Sequence, residues 1–102
     1  MSEFKAIRNP NRCPSHPGAL LGEIIPPTGK TKVEISMLLG ISRQQLYDIL
    51  NERKPVSAGI AARLGKLFGD GAAVWLAMQS AHDAWHAERD VDVSGIPTIR
   101  AA

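Results

Sequence analysis

The sequence predicts an all-α protein of five helices, with an irregular N-terminal arm before them and a short extended C-terminal tail after them. Apolar residues recur at helical spacings such as i, i+3 and i+4 in five successive segments. Three segments open at a serine or threonine suited to capping a helix. The first four end at proline, glycine or asparagine, and we expect Asn51 to adopt the left-handed conformation that ends the third.

The first predicted helix covers residues 17–25. Pro17 suits its first position, where the missing N–H costs no hydrogen bond, and Pro26 stops it. The apolar stripe of this helix consists of Leu20, Leu21, Ile24 and Ile25. We expect the stripe to pack behind the next two helices.

The second and third predicted helices meet at a glycine corner. Thr31 and Glu34 have the T-x-x-E spacing of a capping box. Ser42 and Gln45 repeat it as S-x-x-Q, and Gly40 between the boxes suits the left-handed end of a helix. The apolar positions of the two helices are Ile35, Leu38, Leu39, Leu46, Ile49 and Leu50. Two capped helices joined by so short a turn predict a helix-turn-helix.

The outward side of the third helix is polar and suits the base edges and phosphates of double-stranded DNA. By position, Arg43 can pair with guanine and Gln44 with adenine. Asp48 can accept a hydrogen bond from cytosine, and Tyr47 points into the same groove. The helix N-terminus that Ser42 opens can anchor on the phosphate backbone. The other predicted phosphate contacts are Lys32, Gln45, Arg53 and Lys54.

A helix corner alone does not establish DNA binding, because many helical domains contain one and never touch nucleic acid. Three details favour it here. Apolar side chains stand where the two helices must touch, the small Ser36 lies at their close contact, and no acid precedes Asp48 in the third helix. Lys5, Arg8 and Arg12 make the N-terminal arm basic, and this arm is either simply solvated or follows a DNA backbone.

The fifth predicted helix is the longest and runs from Ala72 to about Arg89, after a fourth that begins behind Ser57 and ends at Gly69. Its first half is apolar nearly all round, which predicts burial on more than one side. We therefore expect part of it to contact a second copy of the protein, with ordinary core packing as the alternative. The residues assigned to this homodimer interface are Trp75, Met78 and Trp85.

Length and charge favour one domain with two unlike ends. The 102 residues divide into a basic arm (1–15), a DNA-binding domain (16–90) and a tail (91–102), where Val91 and Val93 predict a short strand. Residues 1–69 carry a formal charge of +5 and residues 70–102 carry −3, which suits a polyanion at the front and another partner at the rear. A single cysteine, no leader and no apolar run near about 20 residues predict a cytoplasmic protein without a membrane partner.

One enzyme-like pattern competes with DNA binding. His82 and His86 stand at i and i+4 with Asp83 between them, similar to the H-E-x-x-H motif of zinc proteases. The acid is one methylene short, no third ligand is apparent, and the chain leaves no room for a substrate cleft. Cys13 and His16 are not expected to form a nucleophile pair, because nothing in the sequence orients them. We expect no catalysis, no metal and no cofactor.

The residues also carry a family resemblance. The stretch TKVEISMLLGISRQQLYDILNERKPVS resembles the helix-turn-helix of lambda-repressor-like DNA-binding domains. His16-Pro17-Gly18, and the Trp-Leu-x-x-Gln stretch after Phe68-Gly69-Asp70, narrow the resemblance to the HigA-type antitoxins, also called plasmid-maintenance antidote or VapI-like proteins. It covers about residues 16–90. Two departures are the breaker-rich residues 25–31 and His82, where the family pattern has a tyrosine.

The resemblance implies a five-helix bundle that acts as a homodimer, each copy placing its third helix in the major groove of half a palindromic operator. A RelE-like mRNA endonuclease toxin encoded nearby would bind the antitoxin, and the pair would repress their own operon. Two alternatives stay open. The chain could be an orphan helix-turn-helix regulator without a toxin, or a toxin-capping module with weak DNA binding.

Overall fold

A computed structural model describes residues 12–100, so the expectations for Lys5 and Arg8 in the basic arm lie outside the described residues. Residues 12–100 form five α-helices and one short 3₁₀ turn. In order these are α1 (Pro17–Ile24), the 3₁₀ turn (Pro26–Thr28), α2 (Lys32–Leu39), α3 (Arg43–Leu50), α4 (Ala58–Phe68) and α5 (Ala72–Asp90). The all-α prediction of five helices is confirmed. In this part of the chain, no helix combines the length and apolarity that crossing a bilayer requires.

The tail after α5 is extended but forms no strand. Within residues 12–100 there is no strand at all, so the short strand predicted at Val91 and Val93 is wrong. Both valines are more than half exposed, and no neighbouring strand is there to pair with their backbone. A turn closes here instead, in which the Ile96 N–H donates to the Val93 carbonyl at 2.9 Å.

The core is built from buried apolar side chains of all five helices and the loop after α3. Its members are Leu21, Ile25, Ile35, Leu39, Leu46, Ile49, Val56, Ala61, Leu64 and Trp75. Leu38, which the sequence placed on the apolar side of α2, is 56% exposed, so that assignment is wrong. Each residue turns a helix by about 100°, so the arc from Ile35 through Leu39 to Ser36 faces inward and Leu38 lies outside it.

The helix ends follow the predictions with one exception at the end of α3. Gly40 and Gly69 end α2 and α4 in the left-handed region, with φ of 73° and 84°. Asn51, expected to do the same for α3, has φ −90°, and its N–H donates to the Tyr47 carbonyl at 2.9 Å. The left-handed residue comes one position later, at Glu52, with φ 61°.

The start of α1 is pressed against the end of α3 at Gly18. A Cβ added to Gly18 would overlap the carbonyl oxygen of Ile49, so only glycine fits this approach. His16 caps α1, its Nδ1 accepting from the Gly18 N–H at 2.9 Å. The pKa of His16 is lowered mainly by burial, and to a smaller extent by the neighbouring charge of His82. The neutral ring that results is the form that can accept this hydrogen bond.

A buried glutamine holds α5 against the loop that follows α3. The Gln79 Oε1 accepts from the Val56 N–H at 2.8 Å, and its Nε2 donates to Asp83 Oδ1 at 2.9 Å. Both ends of this buried amide are therefore satisfied, which a buried polar side chain requires. The contact fixes the register of α5 beneath the helix-turn-helix.

Trp75 lies wholly inside the protomer. None of its surface is exposed, and its indole N–H donates to Asp70 Oδ1 at 2.9 Å. The assignment of Trp75 to a dimer interface is therefore wrong, because this side chain completes the core of a single copy. Met78 and Trp85 are partly buried, and their assignment stays a prediction.

Candidate nucleic-acid interface

Paired capping boxes fix the starts of α2 and α3. The Thr31 hydroxyl accepts from the Glu34 N–H at 3.1 Å, and the Glu34 carboxylate accepts from the Thr31 N–H at 2.7 Å. Ser42 and Gln45 make the same reciprocal pair at 3.0 Å and 2.9 Å. The pKa of Glu34 is lowered mainly by the hydrogen bond from the Thr31 backbone N–H, and to a smaller extent by the one from the Thr31 side chain. Both predicted boxes are confirmed, and they satisfy N–H groups that a helix start leaves unpaired.

The corner between the two helices is braced from α4. The Ile41 N–H donates to the Ser36 carbonyl at 3.1 Å, which turns the chain directly into α3. The Arg63 guanidinium donates to the Leu39 carbonyl at 2.8 Å and so pairs a cation with the C-terminal end of α2. No local sequence pattern predicts this role of Arg63, because it lies 24 positions from its partner.

The polar side of α3 faces solvent. Leu46 and Ile49 are buried beneath the helix, whereas Arg43, Gln44 and Gln45 are exposed. The remaining predicted DNA contacts all keep exposed surface. They are Lys32, Ser42, Arg53 and Lys54, which are exposed, and Tyr47 and Asp48, which are partly buried. Nothing in the described part of the protomer covers this face.

Asp48 lies at the centre of the polar face and engages two of its neighbours. The Gln44 Nε2 donates to Asp48 Oδ1 at 2.9 Å, and the Arg53 guanidinium is 3.6 Å from the same oxygen. These residues were predicted as separate DNA contacts, although the i, i+4 spacing of Gln44 and Asp48 is a known signal for such a pair. A carboxylate has further acceptor positions, so Asp48 can still accept from a base.

Two more pairs orient side chains around the start of α3. The Lys32 ammonium lies 6.0 Å from the centre of the Tyr47 ring, at the outer range of a cation–π contact. The Gln45 Oε1 accepts from the Ser42 N–H, and the Gln45 amide nitrogen has no hydrogen-bond partner within residues 12–100, so it can donate outward. No acidic residue stands in the first turn of α3, so its positive helix end remains open to a phosphate.

The structure also brings together residues that no sequence pattern links. Cys13 lies beside His82 and His86, with its sulfur 3.5–3.7 Å from one nitrogen of each ring. The sequence shows no obvious third ligand after the two histidines, whereas the fold places a cysteine sulfur beside both of them. This cluster lies where the segment before α1 meets α5, and not on the polar side of α3.

No protein-family model matches the chain. Individual known proteins and solved structures do resemble it. Virulence-associated protein I of Dichelobacter nodosus is 36% identical over 76 residues, which are 74% of this chain and 70% of that protein. The solved structure of antitoxin GraA in complex with its operator is 30% identical, covers 95% of this chain and 100% of that chain, and has a TM-score of 0.79. An addiction module antidote protein of a HigA family from Coxiella burnetii is 27% identical, covers 87% and 100%, and has a TM-score of 0.78.

The braced corner and the uncovered polar helix, set in a five-helix bundle, define a helix-turn-helix DNA-binding protein of the lambda-repressor-like class. The relatives narrow the class. The chain belongs to the HigA-type antitoxin family, the plasmid-maintenance antidote or VapI-like proteins.

Proposed function

We propose that this protein is the antitoxin of a type II toxin–antitoxin system, which represses its own operon and neutralises a RelE-like mRNA endonuclease encoded beside it. The observation that carries the proposal is the uncovered side of α3, where Arg43 and Gln44 are exposed and Asp48 holds the Gln44 amide. Membership of the antitoxin family supports joining the two activities in one molecule.

Base reading is assigned to the side chains along α3. Arg43 pairs with the O6 and N7 acceptors of guanine, and Tyr47 lies in the same groove. The Gln44 amide nitrogen has two hydrogens, of which one binds Asp48 and the other is available for N7 of adenine, while its Oε1 accepts from N6. Asp48 accepts from a cytosine amino group with a lone pair that Gln44 does not use.

Backbone contacts surround this reading face. One phosphate can bind at the N-terminus of α3, which Ser42 caps. The Gln45 amide nitrogen can donate to the same phosphate. Lys32 lies at the start of α2, and Arg53 and Lys54 lie in the loop beyond α3. Cations on both sides of the reading helix fix its register on the duplex without reading sequence.

A homodimer would match a palindromic operator, and we assign its interface to the outer side of α5. Val74 is 41% exposed on one flank of this helix, and Met78 and Trp85, which share that flank, keep part of their surface. Leu76, 36% exposed, lies on the opposite flank. The indole N–H of Trp85 is buried and has no hydrogen-bond partner among the described residues. Exposed apolar side chains that share one flank of a helix favour a surface that a second copy covers.

The acidic rear of the chain is assigned to the toxin. Residues 70–102 carry a formal charge of −3, which is complementary to a basic protein. Residues 16–90 would act as the DNA-binding unit, with the arm at 1–15 and the tail at 91–102 outside it. In the tail, Ile96 and Ile99 are 69% and 88% exposed and can supply apolar anchors.

The test is to co-express the chain with the product of the adjacent reading frame and to measure translation in a cell-free system. We expect a stable complex, restored translation and a gel shift of the DNA upstream of the operon. Arg43→Ala with Gln44→Ala should abolish the shift and leave neutralisation intact. If the neighbouring product neither binds nor inhibits translation, the chain is an orphan regulator. If neutralisation occurs without any shift, it is a toxin-capping module.

A further inference from the structure

A thiol and two imidazoles converge where the segment before α1 meets the middle of α5. The Cys13 Sγ lies 3.7 Å from His82 Nδ1 and 3.5 Å from His86 Nε2. Each residue offers one ligand atom, and these atoms lie within 4.8 Å of one another. The two histidines stand one turn apart on α5, and Cys13 precedes His82 by 69 residues, so only the packed fold assembles the cluster.

We propose that Cys13, His82 and His86 bind one Zn²⁺ ion per protomer. Tetrahedral zinc with bonds of about 2.3 Å to sulfur and about 2.0–2.1 Å to nitrogen sets a sulfur and a nitrogen ligand about 3.5 Å apart. The two sulfur–nitrogen separations already have this spacing. Thiolate and imidazole are donors that zinc takes readily, whereas magnesium and calcium bind oxygen.

The surrounding residues hold the ligands near this geometry. The His82 ring stands edge-on to the buried His16 ring, with centroids 5.1 Å apart. The His86 ring lies 4.6 Å from that of His82 and 5.2 Å from that of Trp85. Because His86 is exposed, its ring can turn to close the coordination without disturbing the core.

Zinc would replace a small set of hydrogen bonds at this point. The Pro14 carbonyl lies 3.3 Å from the Cys13 thiol, which donates to it, and 2.8 Å from His82 Nδ1. On binding, the thiol proton leaves to solvent and the His82 proton moves to Nε2, which frees the Nδ1 lone pair for the metal. One thiolate and two neutral imidazoles leave a net charge of +1, and water fills the fourth position.

The ion would tie the segment that precedes α1 to the middle of α5. Cys13 lies four residues before Pro17, where α1 begins, and Gly18 packs on the end of α3. Since the three ligands meet only in the folded chain, zinc binding adds to folding stability. The site is independent of the polar face of α3, so the proposed function and the zinc site can fail separately.

The test uses the full chain without a histidine tag, reduced and freed of metal, and titrated with Zn²⁺ alone in a calorimeter. We expect one ion per protomer, a higher Tm with zinc, and a return to the starting Tm on adding a chelator. Co²⁺ should give a thiolate charge-transfer band and the strong visible bands of tetrahedral coordination. Cys13→Ser and His86→Gln should each weaken zinc binding by more than about 100-fold, because losing a ligand costs more than losing an outer partner.

Glu88→Gln is the matched control, since Glu88 is exposed on α5 two residues beyond His86. It should bind zinc as the parent chain does. Circular dichroism of each variant without metal shows whether the fold is kept, and His86→Gln changes only an exposed position. Absence of zinc binding in the parent chain, or binding that both ligand variants retain, overturns the proposal.

Discussion

The side-chain amide of Gln44 donates to the carboxylate of Asp48 one turn further along α3, with 2.9 Å between Nε2 and Oδ1. Arg53, in the loop beyond the helix, lies 3.6 Å from the same oxygen. The contact sets the direction of the Gln44 amide before any DNA arrives. Base reading by Gln44 is therefore expected to depend on Asp48.

Replacing Gln44 by alanine should cost about 1–3 kcal/mol of operator binding and relax the preference at one base pair. The reason is that the amide supplies a paired donor and acceptor to a single base. Anisotropy titrations on the operator and on single-base variants measure both effects. Glu23→Gln, at an exposed position of α1, is the control and should leave them unchanged. An equal loss on every sequence would mean that Gln44 does not read a base.

The dependence of Gln44 on Asp48 predicts a non-additive pair. In a double-mutant cycle with Gln44→Ala and Asp48→Ala, the two losses of operator affinity should differ from additivity by at least about 0.5 kcal/mol. The second substitution has less to remove once the oriented amide is gone. Strict additivity would show that the contact between the two side chains has no part in recognition.

Lys54→Ala should weaken binding to all DNA sequences alike. A lysine that neutralises one phosphate releases about one counterion, so the slope of log K against log salt should become shallower by about one. Titrations at several salt concentrations measure this slope. Lys66→Ala, which removes the same charge from the exposed side of α4, should leave it unchanged. If Lys54→Ala also leaves the slope as it was, Lys54 does not contact a phosphate.

Gly18→Ala should destabilise the fold by about 1–3 kcal/mol, because the new methyl group overlaps the Ile49 carbonyl oxygen. Gly59→Ala is the matched control. A Cβ at Gly59 meets nothing within 4 Å, so alanine there should stabilise α4 by up to about 1 kcal/mol. Thermal unfolding followed by circular dichroism should separate the two variants in opposite directions. A rise in Tm for both would contradict the close approach of α1 to α3.

The capping box of α2 should make stability depend on pH in the acid range. Hydrogen bonds from Thr31 lower the pKa of Glu34 below its ordinary 4.5 in the folded chain. A lowered folded pKa contributes stability above the unfolded value, and this contribution is lost as the pH falls through the folded pKa. The Tm difference between the parent and Glu34→Gln should therefore shrink from about pH 6 towards pH 3. A constant difference would exclude this role for the carboxylate.

Features that depend on neighbours in sequence were predictable. The boxes at Thr31 and Ser42 and the left-handed Gly40 rest on contacts within about four residues, and the structure confirms them. Rotation about a helix was harder to predict. Both faces of α5 are apolar, so the pattern could not show that Trp75 points inward while Leu76 remains exposed.

Features that depend on packing between distant residues were not predictable. Cys13 is too far in sequence from His82 for any spacing rule to join them, and Arg63 reaches Leu39 only because α4 crosses the end of α2. The pairing of Gln44 with Asp48 was only partly predictable. Its i, i+4 spacing was visible, but the choice between pairing and facing DNA is made by the side chains in three dimensions.

The most direct test of the account is a titration of the chain with the DNA upstream of its own operon and with a shuffled duplex of the same composition, at one salt concentration. An uncovered reading helix predicts a preference for the natural sequence of about 10³-fold or more. That preference should disappear in the variant carrying both Arg43→Ala and Gln44→Ala. Equal affinities of the parent chain for the two duplexes would contradict sequence-specific recognition by α3.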